Sequence, residues 1–249
     1  MHPICFHIGS FPIHWYGVMV AAGFLSTILY WSLAGRKESY PTGFASDMAL
    51  WIIIAGIIGA RIAYVLANLP YFLDEPMMIW RIDLGGLIYY GGFIGGIAGV
   101  VLFARFHRIP KWRLGDFVIS GIPLGHAFGR IGCFLNGCCY GTPCTLPWAV
   151  SMHDAVRHPT QLYEVIFNFA LFAGLAWFYQ RCRKHGRVLA LYLLLYPAWR
   201  FCIEFLRGDP RLLLAGLSIA QWISLGLFTL GILFWTKPPG RREQIDHVS

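Results

Sequence analysis

The side chains best equipped for chemistry in this chain are arginines set inside apolar runs. Arg61 lies in IIIAGIIGARIAYVLANL, Arg130 in HAFGRIGCFLNGCCYG and Arg200 in YLLLYPAWRFCIEFLRGDP. A charge at the centre of a lipid-embedded helix costs about 2.5–3.5 kcal/mol on insertion scales. Something must offset each one. Snorkelling to an interface is one explanation. An internal ion pair is a second, and Glu204 follows Arg200 by four residues, on the same helical face. Convergence on a shared polar cavity is a third. Such a cavity attracts an anion, because the guanidinium fork matches phosphate, and the abundant anion in a membrane is a phospholipid headgroup. A transporter for an organic anion would carry the same pattern.

Cysteine is the other reactive type. Seven are present, and four of them, Cys133, Cys138, Cys139 and Cys144, follow a C-x4-C-C-x4-C spacing. A disulfide, packed free thiols, and a metal or redox site all fit that spacing. It is not a familiar zinc pattern, and no metal or cofactor is assigned from it. Cys5, Cys182 and Cys202 are scattered and read as buried free thiols.

The elements that carry these groups are apolar helices. Of 249 residues, 57% are hydrophobic, 16% aromatic and 13% charged, where a soluble domain carries about 25% charged. Runs near twenty residues recur, which is the length that crosses a bilayer. Seven spans are expected, at about Tyr16–Leu33, Met48–Leu69, Gly85–Ala104, Leu114–Phe128, Gln161–Gln180, Val188–Phe205 and Leu213–Trp235. The fold class is an all-α polytopic integral membrane protein, with residues 1–249 as a single domain. The fourth span is short and runs into the glycine-rich motif, as a broken or re-entrant helix would. Gly91, Gly95 and Gly99 in the third span permit close helix packing, or else leave bare backbone beside a headgroup.

A net charge of +8 raises the question of nucleic acid. The basic residues instead fall in short clusters between spans: Arg36 and Lys37; Arg105, Arg108, Lys111 and Arg113; Arg181, Arg183, Lys184 and Arg187; and Lys237, Arg241 and Arg242. These hold 13 of the 20 Lys and Arg, all on one side if seven spans alternate. The positive-inside rule then puts the N-terminus outside and the C-terminus in the cytoplasm, with membrane lipids, not nucleic acid, as partners. No cleavable signal peptide is expected, since the first basic residue follows the first apolar run.

HAFGRIGCFLNGCCYG resembles the signature of the prolipoprotein diacylglyceryl transferase family at Gly129, Arg130, Gly132, Phe134, Asn136, Tyr140 and Gly141. Five further segments resemble that family in the same order. They are IGSFPIHWYGVMVAAGFL, GARIAYV, DLGGLIYYGGFIGG, RHPTQLYE and YPAWRFCIEFLRGDP. The resemblance implies a seven-span enzyme of the bacterial inner membrane that needs no cofactor. It implies transfer of the diacylglyceryl group of phosphatidylglycerol to the lipobox cysteine of a preprolipoprotein, leaving a thioether and glycerol phosphate. A thiolate is the nucleophile, and the phosphate leaving group gains charge that fixed guanidiniums stabilise. Arg130 and Arg200 are therefore expected on the phosphate, with Arg61 and Arg207. Tyr16, Asn136 and Gly141 are expected near the headgroup.

Two departures mark the chain as a divergent member. The family has a histidine before the paired glycines of the third span, proposed as the base, where this chain has Tyr90. A Tyr90 phenolate, the imidazole of His126, or water could take the proton. In the signature, Cys133 replaces an asparagine and Cys138 an acidic residue. A lipid-binding transporter and a thiol-redox or metal protein built on the four cysteines stand as alternatives.

Overall fold

The computed structural model describes residues 3–182 and 184–239. Arg183, Arg241 and Arg242, counted above among the basic clusters, lie outside them. Among the described residues, seven helices are long and apolar enough to cross a membrane. They are α1 (Trp15–Lys37), α2 (Phe44–Ala67), α4 (Tyr89–Phe106), α5 (Lys111–Asn136), α6 (Thr160–Arg181), α7 (Arg187–Ile203, continued to Leu206 by a 3-10 turn) and α8 (Ile219–Thr236). A short α3 (Leu69–Asp74) follows α2. Their outward faces are apolar, with Leu25, Leu29, Ile58, Ile62, Ile166 and Leu233 all exposed. That is the surface lipid requires, since backbone polar groups are satisfied inside each helix.

Three expectations need correction. The fourth span is not short or broken: α5 runs 26 residues, through Pro123 and the signature to Asn136. The third begins at Tyr89, because Gly85 and Gly86 hold φ of 83° and 79°, a left-handed backbone that helices exclude. The seventh begins at Ile219. Leu213–Leu214 and Leu217–Ser218 form a hairpin (β5, β6) around Ala215 and Gly216, both at positive φ. Two other hairpins are also outside an all-helical reading: β1 (Ile4–Ile8) with β2 (Phe11–His14), and β3 (Val150–Met152) with β4 (Ala155–Arg157).

The chain folds as two compact units. The first comprises residues up to Tyr30 together with those from Gly115 onward; the second comprises Trp31–Leu114.

In the second unit, α2 and α4 pack through glycine. A Cβ on Gly91 would strike Ala63 Cβ and Gly59 O, and one on Gly95 would strike Ala55 O. These glycines are thus used for close backbone approach, the packing alternative of the two expected. Below that seam, Phe44 and Phe103 pack edge to face, and Arg113 pairs with Glu38 at 2.8 Å.

In the first unit, α1 meets α5 where Gly23 faces Gly125, with Gly125 O 3.0 Å from a Cβ at Gly23. Leu171, Leu175 and Val188 form a buried cluster with Ile119, Phe178 and Tyr196 around it. Asp116 of α5 accepts from the backbone N–H of Gly186 (2.6 Å) and Leu189 (2.8 Å) at the start of α7. A carboxylate there satisfies orphan donors and faces the positive end of the helix dipole. Pro197 interrupts the ladder of α7, and a Cβ on Gly231 of α8 would come within 2.9 Å of the Leu193 carbonyl one turn earlier.

Candidate active site

The site lies in the first unit and begins with a carboxylate. Glu164, on the second turn of α6, has a side chain 2% exposed. Burying it is costly unless it is paired. Arg130 of α5 places Nε 2.5 Å from Glu164 Oε2, and Arg200 of α7 places Nη1 3.7 Å from Glu164 Oε1. One buried acid therefore draws together arginines from two helices that are 70 residues apart in sequence.

The charges continue in alternation. Arg200 Nη1 lies 2.7 Å from Glu204 Oε2, the expected i, i+4 pair. Glu204 also takes Arg211 and accepts from Ser218 Oγ at 2.8 Å. Ser218 is at the same time the N-cap of α8, in a capping box with Gln221, so a helix cap fixes the height of the carboxylate. Arg211 Nη2 meets Asp209 Oδ1 at 2.6 Å, and Arg207 holds the same acid at 2.9 Å. A cleft of about 250 Å³ opens here, lined by Arg200, Glu204, Arg207, Asp209, Arg211 and Ser218. Four guanidiniums here meet three carboxylates, with the Cys139 thiol close enough to feel Arg207 and Arg130. Guanidiniums held together in a partly buried cleft are a ready site for an anion. Burial, and then the charge of Arg200, pushes the Arg211 guanidinium below its usual range.

Arg130 has spare capacity. Its Nε is shared between Glu164 and His126 Nε2, at 3.3 Å. Among the described residues its two terminal nitrogens make no hydrogen bond and remain available for a phosphate oxygen. His126 falls on the same face of α5, as its four-residue spacing requires. Its Nε2 accepts from Arg130, so that lone pair is already in use.

The remaining sequence-derived candidates fall as follows. Tyr16 packs against Gly132, where a Cβ would lie 3.2 Å from its ring. Asn136 ends α5 and is exposed. Gly141 is buried where three segments cross: a Cβ there would meet His158 at 2.6 Å and Leu206 O at 2.9 Å. Its place is dictated by close packing, and the Gly141–Arg207 bridge ties the signature loop to the charged cleft.

Arg61 and Tyr90 belong to the second unit. Arg61 is buried and donates to five carbonyls, those of Met78, Ile79, Arg81, Gly85 and Gly86. Tyr90 is half exposed on the first turn of α4, edge-on to Tyr89.

Sequence reasoning quoted Glu164 only as part of a matching segment and did not see its pairing. Arg211 and Asp209 were missed as site residues. Glu164, a lone acid inside the apolar run that opens at Gln161, was the available signal for the first of these.

The cysteines divide. Cys133, Cys138 and Cys139 hold their sulfurs within 4.8 Å of one another, as free thiols, and Cys144 is outside that group. A hydrogen bond from Cys133, helped by the fields of Arg207 and Arg130 and opposed by burial, lowers the Cys139 thiol to about 5. Burial, and then the negative charge of Cys139, raises Cys138.

Seven apolar helices, with a buried arginine–carboxylate chain in the first unit, mark a polytopic membrane protein whose guanidiniums are suited to an anion. Comparison with known proteins narrows this further. The family model for prolipoprotein diacylglyceryl transferase matches residues 3–237, and the chain belongs to that family. It is similar to the phosphatidylglycerol–prolipoprotein diacylglyceryl transferase of Clostridium tetani, with 37% identity over 98% of this chain and all of the relative. The Bordetella parapertussis enzyme of that name is 37% identical over 96% of this chain and 97% of the relative. A second such transferase of Clostridium perfringens is 32% identical over 95% and 96%.

Proposed function

We propose that this chain moves the diacylglyceryl group of phosphatidylglycerol onto the lipobox cysteine thiol of a preprolipoprotein, in the bacterial inner membrane. The thiolate sulfur attacks the glyceryl carbon, the carbon–oxygen bond to phosphate breaks, and glycerol phosphate departs with the electron pair. A thioether remains.

The observation that carries this reading is the convergence of four guanidiniums in the Arg130–Glu164–Arg200–Glu204–Arg211–Asp209–Arg207 chain. The leaving phosphate gains charge in the transition state, and preorganised guanidiniums stabilise it without reorganising. In this reading Arg130 and Arg200 grip the phosphate, and Arg207 borders the headgroup. Glu164 and Glu204 are positioning residues, because they hold arginines that would otherwise repel one another. His126 orients Arg130, and Tyr16 and Asn136 border the headgroup. The basic connections support an N-terminus outside and a C-terminus in the cytoplasm. The relatives' names favour a transferase over the transporter alternative.

The test is lipidation of a model preprolipoprotein with labelled phosphatidylglycerol in cells depleted of their own transferase. Label on the lipobox cysteine, lost in Arg130→Ala, is expected. No transfer by correctly inserted protein refutes the reading.

A further inference from the structure

The three-thiol group borders the anion site without joining its ion pairs, and its geometry follows from how α5 ends. Cys138 N–H donates to Cys133 O at 3.1 Å, and Gly137 sits at φ 74°. This is a Schellman cap, a motif that presses the side chains three residues before and two residues after the helix end together. Here both are cysteine. Cys139 follows at φ 64°, a left-handed conformation that costs a non-glycine residue energy, and it turns a third sulfur into the group. The two carbonyls of the pair are pinned by α6: Gln161 Nε2 donates to Cys138 O at 2.7 Å and Thr160 Oγ1 to Cys139 O at 2.9 Å. The thiols are therefore held in place by backbone, not left to wander.

Two sulfurs bound to one tetrahedral zinc, at Zn–S of about 2.3 Å, lie about 3.8 Å apart. The three sulfurs here lie within 4.8 Å of one another, so small rotamer adjustments close the set. An all-sulfur donor set selects a borderline-soft ion over magnesium or calcium. Three thiolates on a dication leave one negative charge, which suits a place beside Arg130, three residues from Cys133 on the same face of α5, and beside Arg207, bridged to Gly141. No fourth protein ligand joins the group among the described residues. Three protein ligands with an open fourth position is the arrangement of reactive rather than structural zinc.

We infer that Cys133, Cys138 and Cys139 bind a zinc ion whose fourth position takes the acceptor cysteine as its thiolate. The inference rests on the transfer reaction proposed above. Zinc coordination removes the thiol proton outright, and the proton passes to water. The zinc-bound sulfur then forms its bond to the glyceryl carbon while the carbon–oxygen bond to phosphate breaks. The neutral thioether is a weaker ligand than the thiolate and leaves. The zinc would thus supply the deprotonation that a histidine at position 90 would otherwise serve.

The experiment begins with metal analysis of the purified full chain in detergent. A single zinc per chain is expected, lost in Cys133→Ser and in Cys139→Ser. Cobalt substitution should give tetrahedral visible bands. Adding a lipobox peptide with its cysteine should strengthen the sulfur-to-cobalt charge-transfer absorption, and the serine peptide should not. Spectral capture of the cysteine peptide without label transfer would uphold the metal site and sink the transfer reaction. Failure to bind zinc or cobalt by protein with three titratable thiols overturns the inference, as does a disulfide within the group. A Cys138→Ser/Cys139→Ser variant that keeps wild-type thermal stability and full lipidation activity overturns it too.

Discussion

Arg130 offers the sharpest test of how the charged chain works. Its Nε is shared between Glu164, at 2.5 Å, and His126, while among the described residues both terminal nitrogens make no hydrogen bond. Lysine at this position keeps the charge and three donors, but they radiate from one point and lack the rigid fork that holds Glu164 with Nε and a phosphate with the terminal nitrogens. With one preorganised donor lost from the transition state, kcat should fall about 10²–10³-fold, or ~2.7–4 kcal/mol. Stability should hardly move, because Glu164 keeps a cation beside it. Arg130→Met is different. It strands a carboxylate whose next cation, Arg200, is 3.7 Å away, and breaking a buried pair costs about 3–5 kcal/mol. At ~2–4 °C per kcal/mol for a chain of this size, thermal unfolding in detergent would register the difference. Adding Glu164→Gln to Arg130→Met should restore most of that stability and none of the activity. Label transfer from phosphatidylglycerol and melting of the four proteins complete the set. An Arg130→Lys enzyme within about twofold of wild type, or an active Arg130→Met/Glu164→Gln double variant, would refute the assignment of Arg130 to the leaving phosphate; a tenfold transition-state effect is 1.36 kcal/mol, well within reach of such assays.

Other outcomes follow from the same coordinates. Glu164→Gln alone should destabilise by about 3–5 kcal/mol and lower turnover more than lipid affinity, measured by melting and by label transfer at varied lipid. Asp116→Ala removes a side chain that caps α7 through Gly186 and Leu189 and should cost ~0.5–2 kcal/mol with kcat preserved. Gly95→Val drives a side chain into the Ala55 carbonyl of α2, with a cost of about 1–3 kcal/mol, seen as a lower melting temperature or poorer insertion. In metal-free protein, Cys139 stays ionised down to about pH 5. Its alkylation rate should therefore hold between about pH 8 and 6, where an ordinary thiol of pKa near 8.5 slows roughly 75-fold, and Arg207→Gln should move the fall to higher pH.

Much of this was legible in the residues. Apolar run length alone located the seven crossings, and the four-residue step from Arg200 to Glu204 foretold their pair. What escaped was whatever depends on distant segments meeting. Glu164 becomes the keystone only because α5 and α7 flank α6, and no local spacing records that. Arg211 and Asp209 sat in what looked like a plain connection, because a two-residue strand pair such as β5–β6 has almost no periodic signal. Span ends were misjudged where glycines at positive φ, Gly85, Gly86 and Gly216, continue an apolar composition without continuing a helix. The joining of Cys133 to Cys138 and Cys139 needed the helix to end at Asn136, about two turns later than the composition indicated.

Arg61 carries a consequence of its own. Its five hydrogen-bond acceptors are peptide oxygens, so the backbone of the strap tethers it. It works as a clasp that folds the 78–86 strap onto α2, and its charge is felt by Asp83 of that strap. Swapping that clasp for a neutral side chain would therefore release the strap and dim the local potential in a single stroke.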